Sequence, residues 1–208
     1  MLEARKIECI RGDRRLFHGL SFRLEAKQAL RISGDNGSGK TSLLRMVAGL
    51  SPTQDGEICW NQARITLLAE DYRRELLFIG HANGLKEDLS ALENLQHALV
   101  LAGRHVEFGA LRAALADQGL AAIAQLPVRV LSQGQKRRVA LARLMFCADK
   151  TLWILDEPFG ALDTIAVAYI EKLLLTHLQR GGMLLYTTHQ EVALPGAQSL
   201  SVELGHAR

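Results

Sequence analysis

The chain has 208 residues, 48% of them apolar, 23% charged and 5% aromatic, a composition that excludes disorder and fits an ordinary globular protein. Its 25 Lys and Arg against 22 Asp and Glu leave a net charge of +3, too small for a dedicated nucleic-acid binder. No apolar stretch approaches the roughly 20 residues of a spanning helix, and Met1, Leu2, Glu3, Ala4, Arg5 and Lys6 lack the apolar centre of a signal peptide, so a cytoplasmic location is expected. Cys9, Cys59 and Cys147, odd in number and apolar-flanked, read as reduced packing cysteines and not as a disulfide framework or a zinc site.

Near the start, Ile7 and Cys9, then Leu20, Phe22 and Leu24, alternate with polar positions around Gly12 and Asp13, which predicts short antiparallel strands. A strand at 29–33 runs into Gly34, Asp35, Asn36, Gly37, Ser38, Gly39, Lys40 and Thr41. Leu43, Leu44, Val47 and Leu50 follow at helical spacing, giving strand, glycine loop and helix in succession. The run 76–79 predicts another strand, leading to His81, Ala82, Asn83 and Gly84. Ser90 and Glu93 form a capping-box pattern ahead of a helix presenting Leu92, Leu95 and Leu99, stopped at Gly103. A second amphipathic stretch, with Phe108, Leu111 and Leu115, ends near Gly119.

From about 83 to 148 only helices are expected. Beyond, the apolar runs 151–155 and 183–187 have the length and continuity of buried strands, separated by a helix over 163–180 that carries Ile170, Leu173, Leu174 and Leu178. With no repeat and no linker, the chain reads as one α/β domain. Residues 1–82 and 149–208 form its core, with an antiparallel β flank, and 83–148 form an inserted helical subdomain.

Residues 34–41 fit G-x-x-x-x-G-K-[ST] in the strand, loop and helix context that gives the pattern its meaning. Glycines let successive N–H groups point inward, and the helix N-terminus adds positive potential for phosphates. Lys40 would reach the β- and γ-phosphates, Thr41 would place its hydroxyl on Mg²⁺, and Ser42 completes the nucleotide-binding stretch. Leu152, Trp153, Ile154 and Leu155 lead into Asp156 and Glu157, two carboxylates at the C-terminal end of an apolar strand. Neighbours on a strand face opposite ways, so Asp156 would partner Mg²⁺ through water and Glu157 would take a proton from the attacking water.

Leu131, Ser132, Gln133, Gly134 and Gln135 open a helix that continues with Lys136, Arg137 and Arg138. Three cations in a first turn oppose the helix dipole; either an anion bound there offsets them or they are solvated. His189 follows the last apolar run.

In order and spacing, residues 34–41, 131–135, 152–157, Gly160-Ala161-Leu162-Asp163 and His189 resemble the motif set of ATP-binding cassette (ABC) ATPases over nearly the whole chain. The resemblance implies a P-loop NTPase core, ATP and Mg²⁺ as cofactors, and catalytic roles for Glu157, His189 and Lys40. It also implies a head-to-tail dimer in which Ser132 and Gly134 of one copy close on the γ-phosphate held by the other. His189 would contact that phosphate, and Asp163 would lie at the dimer seam.

A narrower likeness rests on Phe78-Ile79-Gly80-His81, Gly84-Leu85-Lys86, residues 89–95, 152–159 and 181–190, which look like the ATP-binding subunits of bacterial cytochrome c maturation (Ccm) systems. It implies a motor for haem export and release to a haem chaperone, working with a membrane permease subunit at the cytoplasmic face of the inner membrane. An exporter ATPase for another small molecule or lipid, and a soluble cassette acting on ribosomes or DNA, are the alternatives.

Two positions depart from the family pattern. Ala82 stands where ABC ATPases usually carry Gln, with His81 or Asn83 as substitutes. Arg11 stands where an aromatic residue usually stacks on adenine, a place a guanidinium plane can fill.

Overall fold

The computed structural model describes residues 1–190, 192 and 194–205. Two compact units divide it. One comprises Met1–His81, Asp149–Glu157 and the stretch from Leu174 onward; the other comprises Ala82–Ala148 and Pro158–Leu173.

In the first unit, β1 (Leu2–Arg11) and β2 (Arg14–Leu24) form an antiparallel hairpin turning at Gly12. Strand β1 changes its inward set half-way: Leu2 and Ala4 are buried, Lys6 takes φ 48°, and Ile7 and Cys9 then face the core. The irregularity between Ala4 and Ile7 adds the residue that lets even and odd positions share one face.

Next come β3 (Gln28–Gly34), α1 (Lys40–Val47), β4 (Glu57–Trp60), β5 (Ala63–Arg64), α2 (Ile65–Glu75) and β6 (Leu76–Ile79). Helix α1 ends before the expected Leu50, because Gly49 takes φ 68° and turns the chain, leaving Leu50 51% exposed. Helix α2 breaks at Ala69 (φ 29°, ψ −88°).

Strands β7 (Leu152–Leu155), β8 (Met183–Thr187) and β9 (Gln198–Leu204) complete a parallel sheet in the order β6-β7-β8-β3-β9, beside an antiparallel sheet in the order β2-β1-β4-β5. Every residue of β7 and β8 is buried, as expected of strands covered on both faces. Leu2, Ile7 and Leu24 of the antiparallel sheet share one core with Leu30, Ile32, Ile154 and Leu185 of the parallel sheet and with Leu43, Leu44 and Val47 of α1.

Just before β8, Gly182 is required by its surroundings. The His177 ring lies flat on Trp153, centroids 3.9 Å apart and planes 4° from parallel, and a Cβ on Gly182 would overlap the imidazole. Its Nε2–H donates to the Met183 carbonyl at 3.1 Å. Burial lowers the imidazole pKa to about 4, the Met183 bond opposing the shift.

The second unit contains α3 (Ala91–Leu101), α4 (Phe108–Asp117), α5 (Gln133–Leu141) and the part of α6 (Thr164–Gln179) up to Leu173. Ser90 caps α3 in a full capping box with Glu93. The core of this unit is Leu92, Leu95, Leu99, Leu111, Leu115, Val128 and Val139. Buried Asn94 secures the preceding turn, donating to the carbonyls of Lys86, Leu89 and Ser90 and accepting from the Lys86 amide. Among the described residues no helix is long and apolar enough to cross a membrane, and Cys9, Cys59 and Cys147 are buried and not joined in disulfides.

Candidate functional site

Strand β3 delivers the chain into a loop that only glycine can make. Gly34 takes φ 136°, and a Cβ there would lie 2.5 Å from the Leu204 carbonyl oxygen and 2.8 Å from Ser38 Oγ. Gly39, at φ 103°, precedes α1 and supplies no side-chain cap, and the first turn carries no acid. The helix therefore begins without a side-chain cap, a positive end suited to an anion.

Lys40 is buried, its Nζ donating to the carbonyls of Gly34 at 2.7 Å and Asp35 at 2.9 Å. The Ser38 amide donates to the Asp35 carbonyl at 3.2 Å. Its side chain is 2% exposed and its Oγ has no hydrogen-bond partner among the described residues, an orphan polar group of the kind that marks a ligand site. Asp35, Asn36 and Gly37 form the exposed crest. Ser42 hydrogen-bonds Cys9, whose thiol pKa is raised by burial and lowered in smaller measure by that bond.

The carboxylates sit at the end of β7. Asp156, 2% exposed, accepts the Thr41 hydroxyl at 2.8 Å on one oxygen and the Thr187 hydroxyl at 2.7 Å on the other. The strand ends at Leu155, so the separation of Asp156 from Glu157 is not the strand alternation expected from sequence. Glu157 takes φ 52°, and its amide donates to Thr187 Oγ1 at 2.9 Å. A turn at Glu157, held by a hydroxyl from β8, ends the strand between the two acids. His189 then meets Glu157 twice: its amide donates to Oε2 at 3.3 Å, and its Nε2 lies 3.5 Å from Oε1.

In the second unit, Ser132 caps α5. Its Oγ accepts from the Gln135 amide at 3.2 Å, and Gln135 Oε1 accepts from the Ser132 amide at 2.8 Å. Because α5 starts at Gln133, Lys136 closes its first turn while Arg137 and Arg138 fall in its second. Protein groups meet each of them. Lys136 Nζ lies 3.8 Å from Glu87, Arg137 Nη1 donates to Asn83 Oδ1 at 3.0 Å, and Arg138 Nη1 donates to the Gln118 carbonyl at 3.0 Å. The dipole conflict read from sequence is thus eased by groups of the same unit. Asn83 spends its oxygen on Arg137, while His81 and Ala82 are exposed. Arg11 is exposed beside the Gly12 turn, and Asp163 caps α6 by accepting from the Ala166 amide at 2.8 Å.

With the loop, the acids and the capped Ser132 turn in place, comparison with known proteins is decisive. The profile of the ABC transporter family matches residues 17–160. The chain belongs to this family. A relative from Dechloromonas aromatica, named cytochrome c biogenesis ATP-binding export protein CcmA, is 49% identical over 99% of this chain and 100% of its own length. The protein of that name from Vibrio cholerae is 45% identical over 99% of each. Among solved structures, a Pyrococcus furiosus ABC transporter ATP-binding protein superposes with a TM-score of 0.79 at 23% identity, over 98% of this chain and 96% of its own. A dimeric ATP-binding cassette, described as a post-hydrolysis state with ADP and Pi, gives 0.78 at 23% identity over 91% and 88%. These two establish the ABC ATPase fold.

Within this ABC cassette the first unit brings together Lys40, Thr41, Asp156, Glu157 and His189. Thr187, which sequence reasoning passed over, ties Asp156 to Glu157. Its signal was available: a hydroxyl residue ending an otherwise apolar strand next to the acid-bearing strand. The loop amides, Ser38 Oγ and Lys40 suit nucleotide phosphates, and the hydroxyl of Thr41 and the carboxylate of Asp156 are hard oxygen donors of the kind Mg²⁺ prefers.

Proposed function

We propose that the chain is the ATP-hydrolysing motor subunit of a membrane ABC complex, that of bacterial cytochrome c maturation, and that its hydrolysis drives haem export and release to the haem chaperone. The observation that carries the reading is the line of hydrogen bonds joining Thr41, Asp156, Thr187 and Glu157 beside the phosphate loop. The names of the relatives, ATP-binding export proteins of cytochrome c biogenesis, support the choice of complex.

Lys40 and the loop amides at residues 34–41 hold the β- and γ-phosphates. Thr41 and, through water, Asp156 would hold Mg²⁺, which when bound would supply charge neutralisation on the phosphate oxygens. Glu157 accepts the proton of the water that attacks the γ-phosphorus as the bond to the ADP oxygen breaks. His189, kept against Glu157, offers its imidazole to the γ-phosphate. The fixed hydroxyls around Asp156 hold its charge in place, so Glu157 alone among the two acids is available as a base.

The working unit is a head-to-tail pair of copies, each placing Ser132 and Gly134 on the partner's γ-phosphate. A dimeric cassette of the same fold supports the pairing. We assign 1–82 and 149–208 to the core of one cassette and 83–148 to its helical subdomain. A membrane permease subunit carries the chain on the cytoplasmic face of the inner membrane. The test is Glu157→Gln: turnover should fall at least about 100-fold, with ATP binding kept and an ATP-dependent dimer accumulating. Turnover within two-fold of the parent removes Glu157 as the base. Affinity purification from solubilised membranes should recover the permease; recovery of ribosomes or DNA instead overturns the motor reading.

A further inference from the structure

On the reading of Glu157 as the base, on which this rests, we propose that Thr187 is a positioning residue for hydrolysis. Its buried hydroxyl fixes the carboxylate of Asp156 and the backbone of Glu157 relative to one another, so that the acid set to hold Mg²⁺ and the base act on one phosphate together. All the residues involved lie in the first unit.

The surroundings of position 187 call for an apolar side chain. Strand β8 is buried along its whole length, and Thr187 is 0% exposed at its end. Valine has the same branched shape, suits such a strand equally and carries no polar group. A buried hydroxyl, by contrast, costs stability unless it is hydrogen-bonded. The bonds it makes here go to the two acids.

Strands β7 and β8 pair in parallel with Leu155 beside Tyr186, which brings Thr187 level with Asp156, one residue past the end of β7. Thr187 Oγ1 donates its one proton to Asp156 Oδ1 at 2.7 Å and accepts the Glu157 amide proton at 2.9 Å. A valine makes neither bond. The other oxygen of Asp156 accepts from Thr41 at 2.8 Å, so the carboxylate is held from α1 and from β8 at once, and turning its plane breaks one of the two bonds.

Glu157, at φ 52°, is in a conformation that a non-glycine residue keeps only where its surroundings impose it. The Thr187 hydroxyl holds its amide, and the His189 amide donates to its Oε2 at 3.3 Å. The chain from 187 to 189 thus grips Glu157 at both backbone and carboxylate. The intervening Thr188 turns its hydroxyl to the Gln190 amide instead, accepting at 3.0 Å.

The experiment compares Thr187→Val, Thr187→Ser and Thr188→Val with the parent, each as the full chain. ATP turnover at saturating Mg²⁺ gives kcat and KM, and the affinity for mant-labelled ATP is followed across a Mg²⁺ titration. Groups that orient a metal ligand carry about 10–100-fold in metal affinity or activity. Thr187→Val should therefore lower kcat at least about ten-fold with KM within about two-fold of the parent. It should also raise the Mg²⁺ concentration that half-maximally tightens mant-ATP binding by about ten-fold, with the affinity in the absence of Mg²⁺ unchanged. Thr187→Ser, which keeps the hydroxyl, and Thr188→Val should stay within about three-fold of the parent in both readouts. Equal losses in Thr187→Val and in either of the other variants overturn the proposal, because they assign the effect to packing and not to this hydroxyl. A Thr187→Val chain within about two-fold of the parent in either readout overturns it as well. So does a fall of Mg²⁺-free ATP affinity and of the urea midpoint along with kcat, the pattern of general unfolding. A parent that hydrolyses no ATP, or a Glu157→Gln chain that turns over as fast as the parent, defeats the reading of Glu157 beneath the proposal, an outcome seen before any change at Thr187.

Discussion

The turns that open α1 and α5 are both rich in glycine and serine, yet they leave their helices in opposite states. Ahead of α1, Gly39 provides no side-chain cap and the first turn carries no acid; Lys40 lies folded on the loop carbonyls. Ahead of α5, Ser132 and Gln135 satisfy each other's amides, and the cations behind them are paired within their own unit. The first turn is equipped to take an anion within its own chain. The second is closed by its own capping box, which suits the surface proposed above to be offered to another copy. The difference lies in which donors the local fold leaves open, since both turns draw on nearly the same residue types.

The comparison breaks first at Lys40. Lys40→Ala should reduce ATP affinity of the isolated chain about 100-fold, the scale of losing a charge-assisted phosphate contact, whereas Ser132→Ala should leave that affinity within about two-fold while reducing hydrolysis. Titration with mant-labelled ATP separates them, and equal losses of affinity would erase the contrast.

Acid should act on the unit that carries the phosphate loop. His177 titrates at about 4 when folded against about 6.5 when unfolded. Between those values the unfolded chain binds a proton that the folded chain refuses, so stability falls as pH falls through the window. Lowering pH from 7 to 5 should cost on the order of 2 kcal/mol from this group, read by urea unfolding. His177→Phe should flatten the slope over that range; an unaltered slope would assign it to other groups.

The smallest effect sharpens the contrast from the other side. Removing the Ser132 cap should lower stability by about 1 kcal/mol, a shift in the urea midpoint. No change at all would mean that the capping box contributes nothing to closing the start of α5.

Much of the fold was legible because its strongest signals are local. Strands β7 and β8 read as unbroken apolar runs because both faces are covered, and the box at Ser90 and Glu93 stated its helix outright. Strands β4 and β5 and helix α2 went unread. The two strands are short, and α2 breaks at Ala69, so neither keeps a period long enough to register. Edge strand β9 also went unread, for it mixes exposed and partly buried positions and owes its existence to pairing with β3.

In the candidate site, the sequence identified Lys40, Thr41, Asp156, Glu157 and His189 but not Thr187, nor the turn that separates the two acids. A strand's alternation predicts opposite faces only while the strand continues, and β7 stops one residue too early.

By itself, the sequence determined the chemistry: a glycine loop ending in Lys40 and Thr41, an apolar strand ending in two acids, and a serine-capped helix, each encoded within a few neighbouring residues. Tertiary structure alone decided which donors stay open and which are spent. Thr187 reaches Asp156 across 31 positions and Asn83 reaches Arg137 across 54, and such partners are chosen by strand order and helix packing, which no local pattern contains.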